Sequence, residues 1–179
     1  MGSTGARWSD IEQRPIVESV TLKVVPSKGV EHDIAQAHAI HQNAHVAPWK
    51  LSTFADCFTQ PYYGVFAYHG EHIIGYAIVL EVVDEATLMD IAVDSNYRGA
   101  GVGYALVRNV LSLSEQHGMS EMWLEVRESN HNAIRLYEHT GFEHIETRKN
   151  YYTSSGQNGS EKENAKIMKW TNLAHEFCS

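Results

Sequence analysis

A chain of 179 residues, 43% hydrophobic and 20% charged, has the composition of a globular protein and is long enough for one domain with a substantial core. Its formal net charge of −8 argues against nucleic acid as a direct ligand. We expect neither a membrane span nor a signal peptide, since no apolar run approaches the necessary length. Cys57 and Cys178 lie far apart without a C-x-x-C partner, which favours reduced thiols and a cytoplasmic location.

The sequence divides into a lead-in, one domain and a tail. Residues 1–19 are polar and lack a clear period, so we expect a flexible lead-in. Residues 20–170 carry every predicted helix and strand, and 171–179 form a tail to which we assign no role. No internal repeat or linker divides the domain.

Hydrophobic patterning predicts a strand, two helices, three strands, a helix, a strand, a helix and two final strands. In chain order these are strand Val20–Val25, helix Val30–Val46, helix Leu51–Phe58 capped by Ser52 or Thr53, strands Tyr63–Tyr68, Ile73–Val83 and Thr87–Val93, helix Val102–His117 ending at Gly118, strand Met122–Val126, helix Asn130–Thr140 capped by Asn130 or Ser129, strand Phe142–Thr147, a polar loop over 156–164, and strand Ala165–Trp170.

The fold class that follows is α/β, with a mixed sheet of about seven strands and four helices on both faces. The three closely joined strands predict an antiparallel meander. Strands 87–93 and 122–126 are connected by a crossover helix, so we expect them to be parallel neighbours.

The segment from Met89 to Leu106, MDIAVDSNYRGAGVGYAL, passes from a buried strand through a glycine turn into a helix. Such a turn leaves backbone N–H groups unpaired at the helix start, and together with the helix dipole these donors form a phosphate site. Glycine lets the phosphate approach the main chain, and we expect positive φ at some of these positions.

The glycine spacing excludes the two common nucleotide loops. In a dinucleotide fingerprint the third glycine would fall at Tyr104 or Leu106, and a P-loop requires a lysine that this turn lacks. The pattern that remains, Gln/Arg-x-x-Gly-x-Gly/Ala, is matched by Arg98, Gly101 and Gly103. An ordinary glycine-rich turn is the alternative interpretation.

Two further side chains are candidates for acid–base chemistry. Strand alternation places Glu125 on one face with Trp123 and Arg127, as a carboxylate inside an apolar strand. Partial burial would make it a stronger base, whereas a salt bridge or a solvated strand end is the alternative. Tyr137 lies one helical turn after Ile134, and a phenol can protonate a departing thiolate, although core packing is the alternative.

Together, the segments DEATL, IAVDSNYRGAGVG, WLEVRESN, AIRLYEHTGF and RKNYY resemble the bacterial ribosomal-protein-alanine N-acetyltransferases of the GNAT family. The likeness covers about Leu22 to Trp170 and is dense after Asp84. It implies the GNAT acyltransferase fold, with acetyl-CoA as co-substrate and no metal. The implied substrate is an N-terminal alanine, or a similar Ser/Ala-type N-terminus, of a small-subunit ribosomal protein. We expect a monomer without a membrane or direct nucleic-acid partner.

The resemblance also implies roles for individual residues. Glu125 is the general base, Tyr137 is the acid that protonates the coenzyme A sulfur, and backbone near Val93 meets the oxyanion. The implied cofactor-binding residues are Ile91, Ala92 and Val93, which hold the pantetheine arm where strands 87–93 and 122–126 splay apart; Arg98, Gly99, Ala100, Gly101, Val102, Gly103 and Tyr104, around the pyrophosphate; and Asn130, beyond the splay.

The chemistry favours an N-terminal amine as acceptor. An α-amino group titrates at about 7.7–8.0 and a lysine side chain near about 10.4, so a single carboxylate is better matched to the former. The amine attacks the thioester directly, since neither cysteine lies in a recognisable nucleophile context. A GNAT enzyme for a small amine, such as a polyamine or an aminoglycoside, and a non-catalytic acetyl-CoA sensor are the alternatives.

Other aromatic and histidine residues suggest a substrate groove. Trp49 lines the groove or packs in the core, and Tyr151 and Tyr152 are candidates to touch the substrate N-terminus. A metal site requires a complete ligand set. His38, His41 and His45 share one helix face, but no carboxylate or cysteine is evident to complete the set, so we expect surface or groove residues.

Overall fold

The computed structural model describes residues 19–25, 31–156 and 159–174, which form one seven-stranded sheet with helices on both faces. The strands are β1 (Val20–Val25), β2 (Tyr62–His69), β3 (His72–Val82), β4 (Glu85–Val93), β5 (Glu121–Arg127), β6 (Glu143–Gly156) and β7 (Gly159–Thr171). The helices are α1 (Glu31–Ala44), α2 (Leu51–Asp56), α3 (Val102–Gln116) and α4 (His131–His139), with a 3₁₀ turn over Ser95–Tyr97. Within these ranges, no helix combines the length and the apolar character needed to cross a membrane.

The strand order is β1-β2-β3-β4-β5-β7-β6. Strands β1 to β4 form an antiparallel meander, and β4 and β5 are parallel neighbours linked through α3, as the sequence predicts. Strand β7 inserts antiparallel between β5 and β6. The mixed α/β fold class and the seven strands are therefore confirmed.

Two local predictions were wrong. Helix α2 begins after Lys50, which makes no side-chain cap, so Ser52 and Thr53 lie inside the helix. The polar loop predicted over 156–164 is mostly strand, because β6 and β7 continue as a hairpin with pairs such as Tyr152 with Glu163. Strand pairing there depends on the backbone, and a polar hairpin lacks the hydrophobic alternation that predicts strands. The predicted lead-in, apart from Ser19, lies outside the described residues.

The sheet separates two hydrophobic cores. Helices α1 and α2 cover one face, where Phe54, Phe66 and Tyr76 are fully buried. Helices α3 and α4 cover the opposite face, where Leu106 and Leu124 pack with the α4 residues Ile134 and Tyr137. Each face therefore carries its own helix pair, and a residue on β4 or β5 is directed toward one pair or the other.

A β-bulge in β4 changes the face to which its side chains point. Ile78 of β3 pairs with Asp90, but Val79 pairs with Leu88, which leaves Met89 as an extra residue in β4. Because the side-chain period of a strand is two, this insertion changes the face. Leu88 packs in the core beneath α3, whereas Asp90 bonds to His41 on α1.

The parallel pairing of β4 and β5 is short. Only Glu85–Thr87 of β4 pairs with Glu121–Trp123 of β5, although β4 continues to Val93 and β5 to Arg127. Beyond these pairs the two strands splay apart in the middle of the sheet. This gap lies immediately before the glycine turn that leads into α3.

Leu106 joins α3 to the sheet, is fully buried, and lies close to Gly75 of β3. We expect Leu106→Ala to lower the free energy of unfolding by about 2–5 kcal/mol, because it removes a buried side chain and leaves a cavity. Urea denaturation measures this loss. The control is Arg108→Ala on the exposed face of the same helix, for which we expect a change within about 0.5 kcal/mol. Equal losses in the two variants would contradict the packing described here.

Candidate active site

The turn before α3 has the geometry of an anion site. Gly99 and Gly101 adopt φ of 72° and 85°, which confirms the expectation of positive φ in this turn. Gly101 is the N-cap of α3 and offers no side chain, and the first helical bond runs from the Ala105 N–H to its carbonyl. The amides of Val102 and Gly103 therefore precede any intrahelical acceptor and lie at the positive end of the helix dipole.

A cavity of about 520 Å³ opens between this turn, the end of β4 and helix α4; we call it the α3-side cavity. Most of the predicted cofactor residues line it: Ile91, Ala92, Val93, Arg98, Gly99, Gly101, Val102, Gly103, Tyr104 and Asn130. Ala100 is buried and lies outside the lining. Sequence reasoning missed Arg135 on α4, which lines the same cavity as Arg98 and is its second arginine. The two cations and the helix start suit a phosphate-containing ligand.

The backbone of β4 at the gap alternates in direction. The Asp94 N–H donates to the Ile74 carbonyl of β3, so the polar backbone groups of Ala92 also point toward β3. Those of Ile91 and Val93 consequently point into the gap, and the Val93 carbonyl accepts a long bond of 3.4 Å from Nε of Arg98. An extended ligand placed between β4 and β5 would find an open strand edge there.

A second cavity, of about 780 Å³, lies on the face covered by α1; we call it the α1-side cavity. His41, His45, Trp49, Asp90, Glu125 and Tyr152 contribute to its lining. It shares with the α3-side cavity the residues Ile91, Ala92, Val93, Arg98, Asn130, Asn132 and Tyr137. The two cavities therefore meet at the gap in the sheet, so that ligands entering from opposite faces would touch there.

Glu125 lies on the face predicted for it, and its side chain is 34% exposed. Its Oε1 accepts a hydrogen bond of 2.7 Å from Nη1 of Arg148 on β6. The buried residues of β5 are its neighbours Leu124 and Val126, on the opposite face. The structure shows the salt bridge that was the alternative interpretation of Glu125, and a pattern of alternating residues could not decide between the two because it does not reveal which faces remain open beside a gap. The carboxylate is accessible from the α1-side cavity.

Tyr137 on α4 is only 6% exposed and lines both cavities. Burial raises the pKa of Tyr137 above its usual value, and the negative charge of Asp90 raises it further. Its hydroxyl is therefore protonated throughout the neutral pH range, as a proton donor requires. Glu125 and Tyr137 therefore both line the α1-side cavity.

The aromatic residues singled out in the sequence differ in position. Tyr152 lines the α1-side cavity, and Arg127 stacks over its ring at 4.2 Å. Tyr151 is 48% exposed and lines neither of the two cavities. Trp49 satisfies both interpretations, since it lines the cavity and also packs against the core under α1.

Sequence reasoning missed the carboxylate that joins the α1 histidines. Asp90, brought to this face by the bulge, lies 2.8 Å from Nδ1 of His41 and 3.0 Å from Nε2 of His45. The hydroxyl of Tyr76 donates to the same carboxylate at 2.7 Å. Burial alone would raise the pKa of Asp90, but the donors from His41, His45 and Tyr76 outweigh it and hold the pKa well below the usual range. A buried, ionised carboxylate is the result.

Hydrogen bonds determine the tautomer of His41. The Trp49 backbone N–H donates to its Nε2 at 2.9 Å, so Nε2 carries no proton. Nδ1 therefore carries the proton and donates it to Asp90. His41, His45 and Asp90 are close enough to hold a metal ion, but both nitrogens of His41 are committed to the protein, which disfavours that use.

The architecture and the turn are those of an acyltransferase of the GNAT class, and the comparisons agree. The family model described as "Acetyltransferase (GNAT) family" matches residues 32–142. The chain belongs to the GNAT acetyltransferase family.

Its relatives define a narrower group. The chain is 40% identical over 123 residues, 69% of its length and 83% of the relative's, to the "[Ribosomal protein bS18]-alanine N-acetyltransferase" of Escherichia coli K12. It is 38% identical over 136 residues, 76% of this chain and 90% of the other, to the protein of the same name from Haemophilus influenzae. The crystal structure of the E. coli ribosomal-protein-S18-alanine N-acetyltransferase superposes with a TM-score of 0.76 and 36% identity, over 85% of this chain and 93% of that one.

We expect Asp90→Asn to lower the free energy of unfolding at pH 7 by about 1–3 kcal/mol, because an amide cannot accept from all three donors. The folded-state pKa of Asp90 is depressed, so its stabilising contribution is present above the ordinary carboxyl pKa of about 3.9 and declines as the pH falls below it. Urea denaturation at pH 7 and at pH 3 measures the difference, with the exposed Asp84→Asn as control. A penalty that is the same at both pH values would contradict this assignment.

Proposed function

We propose that this enzyme is an N-α-acetyltransferase that transfers acetyl from acetyl-CoA to the N-terminal alanine, or a similar small N-terminal residue, of a small-subunit ribosomal protein. The observation that carries the proposal is the likeness to S18-alanine N-acetyltransferases, which extends over most of both chains. The two cavities that meet in the sheet support it, because they give donor and acceptor separate entrances to one point.

In this proposal the α3-side cavity receives acetyl-CoA. The pyrophosphate lies at the start of α3, where the amides of Val102 and Gly103 and the guanidinium groups of Arg98 and Arg135 provide donors and positive charge. The pantetheine arm then lies along the open edge of β4, against the backbone of Ile91 and Val93. The thioester reaches the gap, where the Val93 N–H is positioned to stabilise the developing oxyanion.

The acceptor enters through the α1-side cavity. Both carboxylates that line this cavity form ion pairs: Glu125 with Arg148, and Asp90 with His41 and His45. A polyamine with several ammonium groups would need further anionic partners, whereas a peptide presents a single ammonium followed by neutral amides. The charges of this cavity therefore favour a protein N-terminus.

The chemical step needs a proton acceptor for the nitrogen and a proton donor for the sulfur. Glu125, accessible in the α1-side cavity, accepts the proton that the nitrogen loses after attack. Tyr137, held protonated by burial and by Asp90, gives its proton to the coenzyme A sulfur. Both residues line the α1-side cavity, where the amine can attack the thioester directly and no covalent enzyme intermediate is required.

An acceptor screen tests the proposed substrate class. We expect acetyl-CoA-dependent turnover of peptides that begin with Ala or Ser, and little or none of spermidine or kanamycin, because the cavity offers no unpaired anionic group among its described lining residues. Release of free thiol measures turnover, and mass spectrometry identifies the acetylated atom. Turnover of the small amines alone would overturn the proposal in favour of a small-amine enzyme.

Two substitutions test the acid–base assignment. We expect Glu125→Gln and Tyr137→Phe each to reduce kcat by at least about 10²-fold, since each removes one proton-transfer group. The dissociation constant for acetyl-CoA should remain near that of the wild type, because neither side chain holds the pyrophosphate.

Matched controls are Glu121→Gln on the same strand, where the carboxylate pairs with Lys169, and Tyr151→Phe outside both cavities. Full turnover by Glu125→Gln would remove the assigned base, and full turnover by Tyr137→Phe the assigned acid.

A further inference from the structure

We propose that His45, oriented by Asp90, is a second proton acceptor of the α1-side cavity, and that it deprotonates the α-ammonium group of the acceptor before attack. This inference rests on the proposed function. It assigns a catalytic role to a residue outside the Glu125–Tyr137 pair and a positioning role to Asp90.

The reaction must remove two protons from the acceptor nitrogen. An α-amino group titrates at about 7.7–8.0, so near neutral pH it is mostly an ammonium ion that has no lone pair for attack. One proton must leave before the nitrogen can attack, and a second leaves once the new C–N bond has formed. A single carboxylate already bonded to a guanidinium, as Glu125 is to Arg148, is poorly suited to both tasks.

The geometry of His45 suits the first task. Its Nε2 lies 3.0 Å from Oδ1 of Asp90, and because that carboxylate is ionised, Nε2–H is the donor. This bond leaves Nδ1 as the proton acceptor of the neutral ring, and Nδ1 has no hydrogen-bond partner among the described residues. The side chain is 38% exposed and lines the cavity that also contains Glu125.

Asp90 makes this arrangement rigid. The carboxylate is only 9% exposed, and it is held on its other oxygen, Oδ2, by His41 and by the hydroxyl of Tyr76. A fixed carboxylate 3.0 Å from Nε2 holds the imidazole ring of His45 in one orientation. His41 cannot serve in the same way, because it is 2% exposed and its Nε2 accepts the Trp49 amide.

The proton transfers balance. An N–H bond of the ammonium breaks, its proton bonds to Nδ1 of His45, and the freed electron pair attacks the acetyl carbon. The C–S bond then breaks and the sulfur takes the Tyr137 proton. Glu125 takes the second N–H proton and returns it to Tyr137, while the imidazolium releases its proton to solvent. The net products are the amide, the thiol and one proton.

Other titratable or charged groups surround the His45–Asp90 pair on every element packed against it. They are His41 on α1, Cys57 after α2, Tyr76 on β3, Arg98 in the turn before α3, Glu125 and Arg127 on β5, Tyr137 on α4 and Tyr152 on β6. Because their titration is common to the wild type and to a His45 variant, the comparison of the two pH profiles isolates the imidazole.

The test is the pH dependence of kcat/KM for an Ala-terminated peptide, measured with the wild type, His45→Gln and His32→Gln. A variant without the imidazole can use only the neutral amine, so its rate should fall about tenfold for each pH unit below about 7.7–8.0. The wild type should retain its kcat/KM to lower pH than the variant does, and the two profiles should converge above about pH 9. His32 is exposed on the same helix, and its variant should follow the wild type.

A His45→Gln profile parallel to that of the wild type, whether equal or uniformly lower, would overturn the proposal, because binding or structural roles produce no such change in shape. Asp90→Asn should also lower kcat/KM more at low pH than at high pH. If Asp90→Asn does not fold, the His45→Gln profile by itself tests the proposal. Loss of wild-type activity on EDTA treatment, restored by Zn²⁺, would also overturn the proposal, since a metal would occupy Nε2. If the proposed function itself were wrong, the result would be different, because the wild type would then acetylate no Ala-terminated peptide at any pH.

Discussion

The arrangement of the site depends on the short pairing between β4 and β5. If the two strands paired along their full length, the sheet would be continuous and its faces would be separate. Pairing instead stops at Thr87 and Trp123, and the polar backbone groups of Ile91 and Val93 are left facing a gap. Unpaired backbone groups are costly where they are dry, at about 1–3 kcal/mol each, but here they line open cavities in which water or ligand can bond to them.

The bulge at Met89 is the second constraint, and it lies where the gap begins. Without the extra residue, Asp90 would point into the core beneath α3, with no donors to compensate its burial. With it, the carboxylate meets His41, His45 and Tyr76 on the other face. One inserted residue therefore converts a core strand into the wall of a polar cavity, as bulges beside active sites commonly do.

Local sequence signals predicted the elements and the glycine turn because both follow from hydrophobic period and glycine stereochemistry. Gly99 and Gly101, for example, have the positive φ that the turn requires. What the sequence could not predict depends on register. The Asp90–His45 contact joins residues 45 positions apart through a bulge, and the exposure of Glu125 depends on a gap between two strands. The β6–β7 hairpin escaped notice because its polar pairs, such as Tyr152 with Glu163, carry no hydrophobic alternation.

Asp90 also connects the acidic and basic halves of the proposed chemistry. Its charge raises the pKa of Tyr137, which keeps the phenol protonated until the C–S bond breaks. The same carboxylate lies 3.0 Å from Nε2 of His45 and orients the proposed proton acceptor. One buried carboxylate, which is itself held ionised by its donors, therefore acts on both groups. A neutral residue at this position would make the donor more acidic and would remove the carboxylate that orients the acceptor, so donor and acceptor both depend on one residue.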